Sequence, residues 1–210
     1  MKSLEQLIDS ENDAILDIRA AISQAQHSAI LLERNENSGT LLKALQLSTH
    51  STLGALIYHT GGVLVANGWL RFLASGNEQL ERDIVSWNQH SDGYLLVGDD
   101  AVGGFFAING GALGTDVGCL YYLSPDETQW EDLEVGFSDF FSWSLTTNLE
   151  QFYADLGKSE LQQQFKVIPS NQCIDFYPPL YSREGSVQTS SKQLVSVSER
   201  LKQKLALTQK

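Results

Sequence analysis

Histidine, cysteine and serine are the residue types of this chain most able to bind a metal or to act as nucleophiles. Cys119 and Cys173 form no CxxC pair, and two cysteines cannot build a disulfide framework. No nucleophile elbow of the GxSxG type occurs. The histidines show no HxxxH or HExxH spacing: His27, His50, His59 and His90. The sequence therefore predicts no catalytic residue, metal site or cofactor, although a nucleophile assembled from distant residues stays open.

A glycine-rich stretch at 98–118 is the other candidate for chemistry, because glycines let backbone amides approach an anion. It lacks a GK[ST] element and GxGxxG spacing, which argues against a nucleotide site. Asp99, Asp100 and Asp116 could supply oxygen ligands to calcium, but their spacing matches no EF-hand loop. We interpret the stretch as turns that carry solvated aspartates.

These residues must be positioned by a sheet and its covering helices. Apolar spacing predicts an amphipathic helix at 13–26 behind Asn12, and Asn67–Gly68 predicts a hairpin over 63–73. Three strands are predicted at 94–98, 104–109 and 119–123. Their short connections require antiparallel pairing.

Further helices are predicted after 137 and 149, with capping boxes at Thr147 and Ser159. The order of elements favours an α+β fold with a central, mainly antiparallel meander sheet covered by helices. We expect a single domain over 1–184, followed by a Ser-rich linker and a basic C-terminal helix over 185–210.

Charge is distributed unevenly along this acidic chain, whose formal net charge is −12. No Lys or Arg occurs between Arg82 and Lys158. That interval contains these acids: Asp83, Asp92, Asp99, Asp100, Asp116, Asp126, Glu127, Glu131, Asp132, Glu134, Asp139, Glu150 and Asp155. Nucleic acid is disfavoured as a ligand because phosphate binding depends on Lys and Arg. A basic protein or a cation is favoured, the alternative being that the acids only maintain solubility.

Location in the cell follows from two absences in the sequence. No apolar run approaches the length of a membrane-spanning helix, and the N-terminal residues lack the apolar core of a secretory signal. We expect a cytoplasmic protein that does not engage membranes.

Five segments between about 48 and 154 carry a family resemblance: GALIYHTGG, GWLRFLASG, GGFFAINGGALG, YYLSPDETQWEDL and FSDFF. With them the chain strongly resembles the bacterial domain of unknown function 2625 family, which implies no assigned activity. More distantly, the order of strands and the Phe-rich helix are similar to the SUKH (Smi1/Knr4-like) superfamily. That resemblance implies a SUKH-like sheet and a role like that of immunity proteins against toxins.

Together these patterns predict a non-enzymatic protein-binding module with an acidic surface and a basic protein as its partner. The candidate interaction residues are Asp99, Asp100, Asp116, Trp69 and Trp87, although the tryptophans also suit the core. One alternative is a small-molecule binder or enzyme with a pocket at the Gly/Asp-rich turns, using Tyr58 and His59. Another is a structural subunit that forms a homodimer.

Overall fold

The strands of the main sheet lie in space in the order in which they occur in the chain. The computed structural model describes residues 1–208. The strands are β1 (Ala29–Leu32), β2 (Gly62–Val65), β3 (Leu70–Leu73), β4 (Tyr94–Asp100), β5 (Phe105–Asn109), β6 (Leu120–Leu123) and β7 (Glu131–Asp132). Every neighbouring pair is antiparallel. The predicted antiparallel meander is confirmed, and it extends from three strands to seven.

The turn between β2 and β3 shows how local sequence sets this register. Asn67 and Gly68 both have positive φ, 59° and 78°, the backbone that an Asn-Gly pair adopts readily. The Ser28 hydroxyl accepts a hydrogen bond from the Asn67 amide at 2.7 Å, which ties the turn to the start of β1. The predicted hairpin is confirmed.

Helices surround this sheet, and two of them begin at other residues than the capping patterns indicate. They are α1 (Leu4–Leu7), α2 (Ile15–Ser23), α3 (Ser38–Leu45), α4 (Thr52–His59), α5 (Ile84–Trp87), α6 (Phe137–Ser144), α7 (Asn148–Phe152), α8 (Lys158–Gln164) and α9 (Val197–Thr208). None of those within residues 1–208 is long and apolar enough to cross a membrane. The α+β class is confirmed.

Two predicted N-caps are wrong. Ala14, not Asn12, precedes α2, and Gly157, not Ser159, precedes α8. Thr147 is the N-cap of α7, as predicted, but it forms no capping box: its side chain makes no capping bond, and its amide donates to the Gln26 side chain at 2.7 Å. A tertiary contact thus replaces the local cap there.

Phe72 of β3 marks the face of the sheet that the N-terminal and central helices cover. It contacts three aromatic rings of α6 at centroid distances of 5.7, 6.1 and 5.2 Å: Phe137, Phe140 and Phe141. On β5, Phe106 points to this face and Phe105 to the other, as the two-residue period of a strand requires. The sheet is therefore buried on both sides.

The opposite face is covered by the C-terminal part of the chain. A second sheet of β8 (Gln172–Tyr177) and β9 (Ser191–Ser196) pairs antiparallel, and α9 follows directly. Cys173, Val197 and Leu201 pack against apolar residues of β4, β5 and β6. Neither β8 nor β9 is predicted from the sequence, and the predicted Ser-rich linker lies where β9 begins.

Candidate functional site

An apolar groove opens beside the edge strand of the main sheet. It has a volume of about 370 Å³ and lies between the chain that follows β7 and helices α6 and α7. Its lining residues are Leu133, Val135, Asp139, Phe140, Trp143 and Phe152. Of these, five are apolar and Asp139 carries the single charge.

The sheet positions one wall of the groove. Leu133 donates its amide to the Leu120 carbonyl at 3.0 Å, and the Val135 carbonyl accepts from the Leu120 amide at 2.8 Å. These bonds continue the β6–β7 pairing past its last strand residue, so Leu133 and Val135 are held at the sheet edge. Glu134 lies between them, exposed and with a positive φ of 57°.

Aromatic stacking positions the floor. The Trp143 ring stacks on Phe140 at a centroid distance of 5.5 Å and meets Phe152 edge-on at 5.5 Å. Phe140 also contacts Phe106 of β5 at 5.0 Å, and Phe152 contacts Tyr122 of β6 at 5.3 Å. The floor is thus anchored on two central strands.

The charges around the groove are acidic. Glu131, Glu134 and Asp139 are exposed. Burial raises the pKa of Asp132, but several hydrogen bonds, the strongest from the Glu134 amide at 2.8 Å, together lower it by more, so the net pKa is below the usual value. Acidic side chains therefore surround the apolar surface of the groove.

Comparison with known proteins places this architecture in a family. The model of the protein of unknown function DUF2625 matches residues 4–200. The chain belongs to the DUF2625 family.

Two relatives show how far the similarity of this DUF2625 chain extends. The uncharacterised protein YbfG of Escherichia coli (strain K12) is 36% identical over 204 residues, covering 95% of this chain and 94% of its own length. An uncharacterised protein of Haemophilus influenzae is 35% identical over 207 residues, covering 94% and 91%. The predicted family membership is confirmed, and with it the uncharacterised status of the function.

The DUF2625 core, not its surface, contains the predicted interaction residues Asp99 and Asp100. Asp99 is fully buried, and its carboxylate pairs with Arg71 at 3.1 Å and with Arg82 at 2.9 Å. Burial lowers the pKa of Arg71, and the negative charge of Asp99 opposes that effect. The interpretation of Asp99 as a solvated turn residue is wrong, because its buried carboxylate pairs with the buried Arg71 and the half-buried Arg82.

Asp100 is equally buried, and four donors converge on it. Its Oδ1 accepts from the amides of Val102 at 3.0 Å and Gly104 at 2.7 Å. Its Oδ2 accepts from the hydroxyls of Tyr122 at 2.7 Å and Tyr153 at 3.1 Å. Burial raises the pKa of Asp100, and the bonds from Tyr122 and Gly104 counter it. Asp100 organises the interior and cannot contact a partner.

The other three predicted residues lie apart. Trp69 is buried, with an exposed fraction of 2%, so it is a core residue. Trp87 is half-buried beneath the Arg82 guanidinium, 4.8 Å from its ring centroid. Asp116 is exposed. The structure does not bring the five candidates onto one surface.

The residues predicted to form the alternative small-molecule pocket also lie in separate parts of the structure. His59 Nε2 lies 2.8 Å from Asp13 Oδ2, which ties α4 to the start of α2. Asp99 belongs to the arginine cluster at β3 and β4. Within residues 1–208, no group of three or more His, Cys, Asp or Glu side chains is arranged to hold a metal ion.

Sequence reasoning missed the groove, although one signal pointed to it. In the sequence, Phe137, Phe140, Phe141 and Leu145 share one face of this helix, and Trp143 falls outside it. A large aromatic residue away from the buried stripe of a helix indicates an accessible apolar surface. Leu133 and Val135 gave no such signal, because their position depends on pairing with Leu120.

Proposed function

We propose that this protein is a non-enzymatic protein-binding module whose groove receives an apolar side chain from a basic segment of a partner protein. One observation carries the proposal: an apolar groove lies in a region, 83–157, that has acidic residues and no Lys or Arg. A basic segment with an apolar residue matches both properties.

The two properties would act on different steps of binding. Burying one Leu or Phe side chain in the groove contributes roughly 1.5–3 kcal/mol. The carboxylates of Glu131, Glu134 and Asp139 would mainly accelerate encounter with a basic surface and select against acidic ones. Affinity would therefore depend on the aromatic floor, and the association rate on the acids.

The acidic field around the groove is weaker than the sequence alone indicates. Asp99 is neutralised by arginines in the interior, and Glu150 pairs with the buried Lys158. The remaining acids near β7 and α6 still leave the groove without a basic lining residue among those described. A toxin domain with a basic surface would match the apolar groove and its acidic surroundings. We propose such a toxin domain, acting in the cytoplasm, as the partner because of the SUKH resemblance.

Selection of peptides by phage display on the full-length protein tests this function directly. We expect enriched peptides to share one Leu, Phe, Met or Trp with Lys or Arg within a few positions. Asp139→Lys should slow association with these peptides, and Trp143→Ala should accelerate dissociation. Asp92→Lys is the matched control, since Asp92 is an exposed acid that does not line the groove.

The outcomes separate the alternatives. Peptides that bind Trp143→Ala as tightly as the unaltered protein would exclude the groove as the site. Enrichment of peptides without basic residues would show that the acidic residues around the groove do not select the partner. A change of sedimentation coefficient in Trp143→Ala would instead indicate that a second copy of this chain covers the groove.

A further inference from the structure

The edge of the main sheet beside the groove is closed to an added strand. Strand β7 is only two residues long. Beyond it, Glu134 has a positive φ of 57°, which turns the chain out of the extended path, and its amide donates to the Asp132 carboxylate at 2.8 Å. The Leu133 amide and the Val135 carbonyl are bonded to Leu120, on the inner side. The row of donors and acceptors that an incoming strand needs is therefore interrupted along this edge.

The lining of the groove offers little to the backbone of a partner. Five of its six side chains are apolar, and its hydrogen-bonding atoms are the carboxylate oxygens of Asp139 and the indole N–H of Trp143. An extended segment in the groove would bury backbone N–H and C=O groups with few partners, and each group left unpaired costs free energy. A helix pairs these groups within its own backbone. The groove therefore favours a helical segment over an extended one.

The size of the groove fits several side chains of such a helix. Its volume of about 370 Å³ is room for roughly twelve non-hydrogen atoms at about 30 Å³ each, or about three Leu side chains. Along α6, the lining residues Asp139 and Trp143 are separated by one helical turn, about 6 Å. Side chains at i and i+4 of a partner helix are separated by about the same distance. Apolar residues from neighbouring turns can therefore enter together.

The acids around the groove select the charge of that helix. Glu131, Glu134 and Asp139 are exposed, and the chain from 83 to 157 supplies no Lys or Arg to oppose them. An amphipathic helix carries an apolar stripe with polar residues on both flanks. Lys and Arg on those flanks would lie near the carboxylates while the stripe faces the aromatic floor. One helix thus meets both properties of the site.

We infer that the partner segment is a basic amphipathic helix that places apolar residues at i, i+4 and i+7 into the groove. The inference rests on the proposed function and adds to it the conformation and the spacing of the bound segment. Strand and polyproline segments are the other outcomes of the test.

Two phage libraries of equal composition test the spacing on the full-length protein. One fixes an apolar residue at i, i+4 and i+7, the other at i, i+2 and i+4, and both carry the same proportion of Lys and Arg. We expect the helix-spaced library to give at least about tenfold more peptides that lose affinity for both Asp139→Lys and Trp143→Ala. Asp139→Lys alters an exposed side chain, so it reports on the groove without risk to folding.

Proline substitution tests the conformation of the bound peptide. In the tightest helix-spaced peptide, one solvent-facing residue between the apolar positions is replaced by Pro and, as the matched control, by Ala. Pro in a helix interior should weaken binding by about a hundredfold, whereas Ala should change it by less than about twofold. Far-ultraviolet circular dichroism should show that the peptide gains helix when it binds. A polyproline segment would instead tolerate the Pro.

The outcomes separate this inference from the proposed function. Groove-dependent peptides with strand spacing, or peptides that bind equally well with Pro, would overturn the helical segment and leave the proposed function standing. If neither library yields a peptide whose binding depends on Asp139 and Trp143, the proposed function fails and the helical segment fails with it.

Discussion

Asp99 and Asp100 are neighbours in the sequence, but the fold uses their carboxylates in different ways. Asp99 balances the charge of Arg71 and Arg82, which lie on its side of the sheet. Asp100 faces the opposite side, where it accepts from two tyrosine hydroxyls and two amides. Successive side chains of a strand alternate between faces, so adjacent acids enter unrelated environments.

Replacement of Asp100 tests its role as an interior acceptor. Asp100→Ala should lower the free energy of unfolding by about 3–5 kcal/mol, because it leaves buried donors without an acceptor. Asp100→Asn keeps the shape and one carbonyl oxygen, and its amide can donate to rotated tyrosine hydroxyls. We expect a loss of only about 1–2 kcal/mol for Asn. Urea denaturation measures both.

Equal losses for Asp100→Ala and Asp100→Asn would contradict this hydrogen-bonding role. The control is Asp100→Ala in a background with Tyr122→Phe and Tyr153→Phe, which removes two of the four donors. The loss caused by Asp100→Ala should be smaller there than in the unaltered chain.

A single sequence could not show that these acids are buried. Gly98 and Gly103 around them are typical of an exposed turn, and consecutive acids are usually solvated. Their true surroundings depend on Arg71, Tyr122 and Tyr153, which are distant in the chain. The error therefore arose from partners that local pattern does not reveal.

Helices α3 and α4 each contain one glycine, Gly39 and Gly54, but the two glycines have different surroundings. A Cβ on Gly54 would lie 2.0 Å from the Ser48 carbonyl oxygen. That oxygen is fixed by hydrogen bonds from the amide and hydroxyl of Ser51, the N-cap of α4. A Cβ on Gly39 would instead meet the flexible end of Leu4 at 2.9 Å.

The pair provides a matched prediction. Alanine normally stabilises a helix by about 1 kcal/mol relative to glycine. Gly54→Ala should nevertheless lower the free energy of unfolding by about 3 kcal/mol, because the chain at Ser48 must move. Gly39→Ala should stay within about 1 kcal/mol of the unaltered protein. Thermal unfolding followed by circular dichroism would show the difference. Similar changes in the free energy of unfolding for both variants would refute the role of the close approach between Gly54 and the Ser48 carbonyl.

Elements were predicted best where pattern and turn chemistry are both local. The Asn67–Gly68 turn and the three central strands needed no distant information, and both predictions are confirmed. The caps failed where a tertiary bond competed, as at Thr147 with Gln26. Strand β9 was missed because its stability depends on pairing with β8 and not on its Ser-rich sequence.

At the scale of the whole molecule, Lys204 fastens the C-terminal helix to the acidic half of the chain. Its Nζ donates to the Ser124 carbonyl at 2.6 Å and also to the Glu127 carbonyl. The side chain is fully buried, and burial, assisted by the charge of Arg200, lowers its pKa from 10.5 to about 8. The basic C-terminal helix therefore binds the acidic half of its own chain through Lys204, which is partly deprotonated in weakly alkaline solution.

This shift predicts how stability depends on pH. Above pH 8 the folded lysine releases its proton while the unfolded one keeps it up to about pH 10.4, so stability rises with pH in this window. Relative to Lys204→Met, the unaltered protein should gain about 1 kcal/mol between roughly pH 7.5 and 9. Urea denaturation across this range measures the difference. A constant difference between the two proteins would contradict a lowered pKa.

The bonds of Arg71 to the carbonyls of Ser170 and Gln172 have a consequence for biosynthesis. These acceptors are translated 99 and 101 residues after the arginine. At about 5–20 residues per second, the ribosome leaves the guanidinium without them for roughly 5–20 s. During that interval water must solvate the charge, and this face of the nascent sheet stays open. Closure of this face is thus tied to the synthesis of residues 170–172, which makes the nascent chain before that point a natural client for a chaperone.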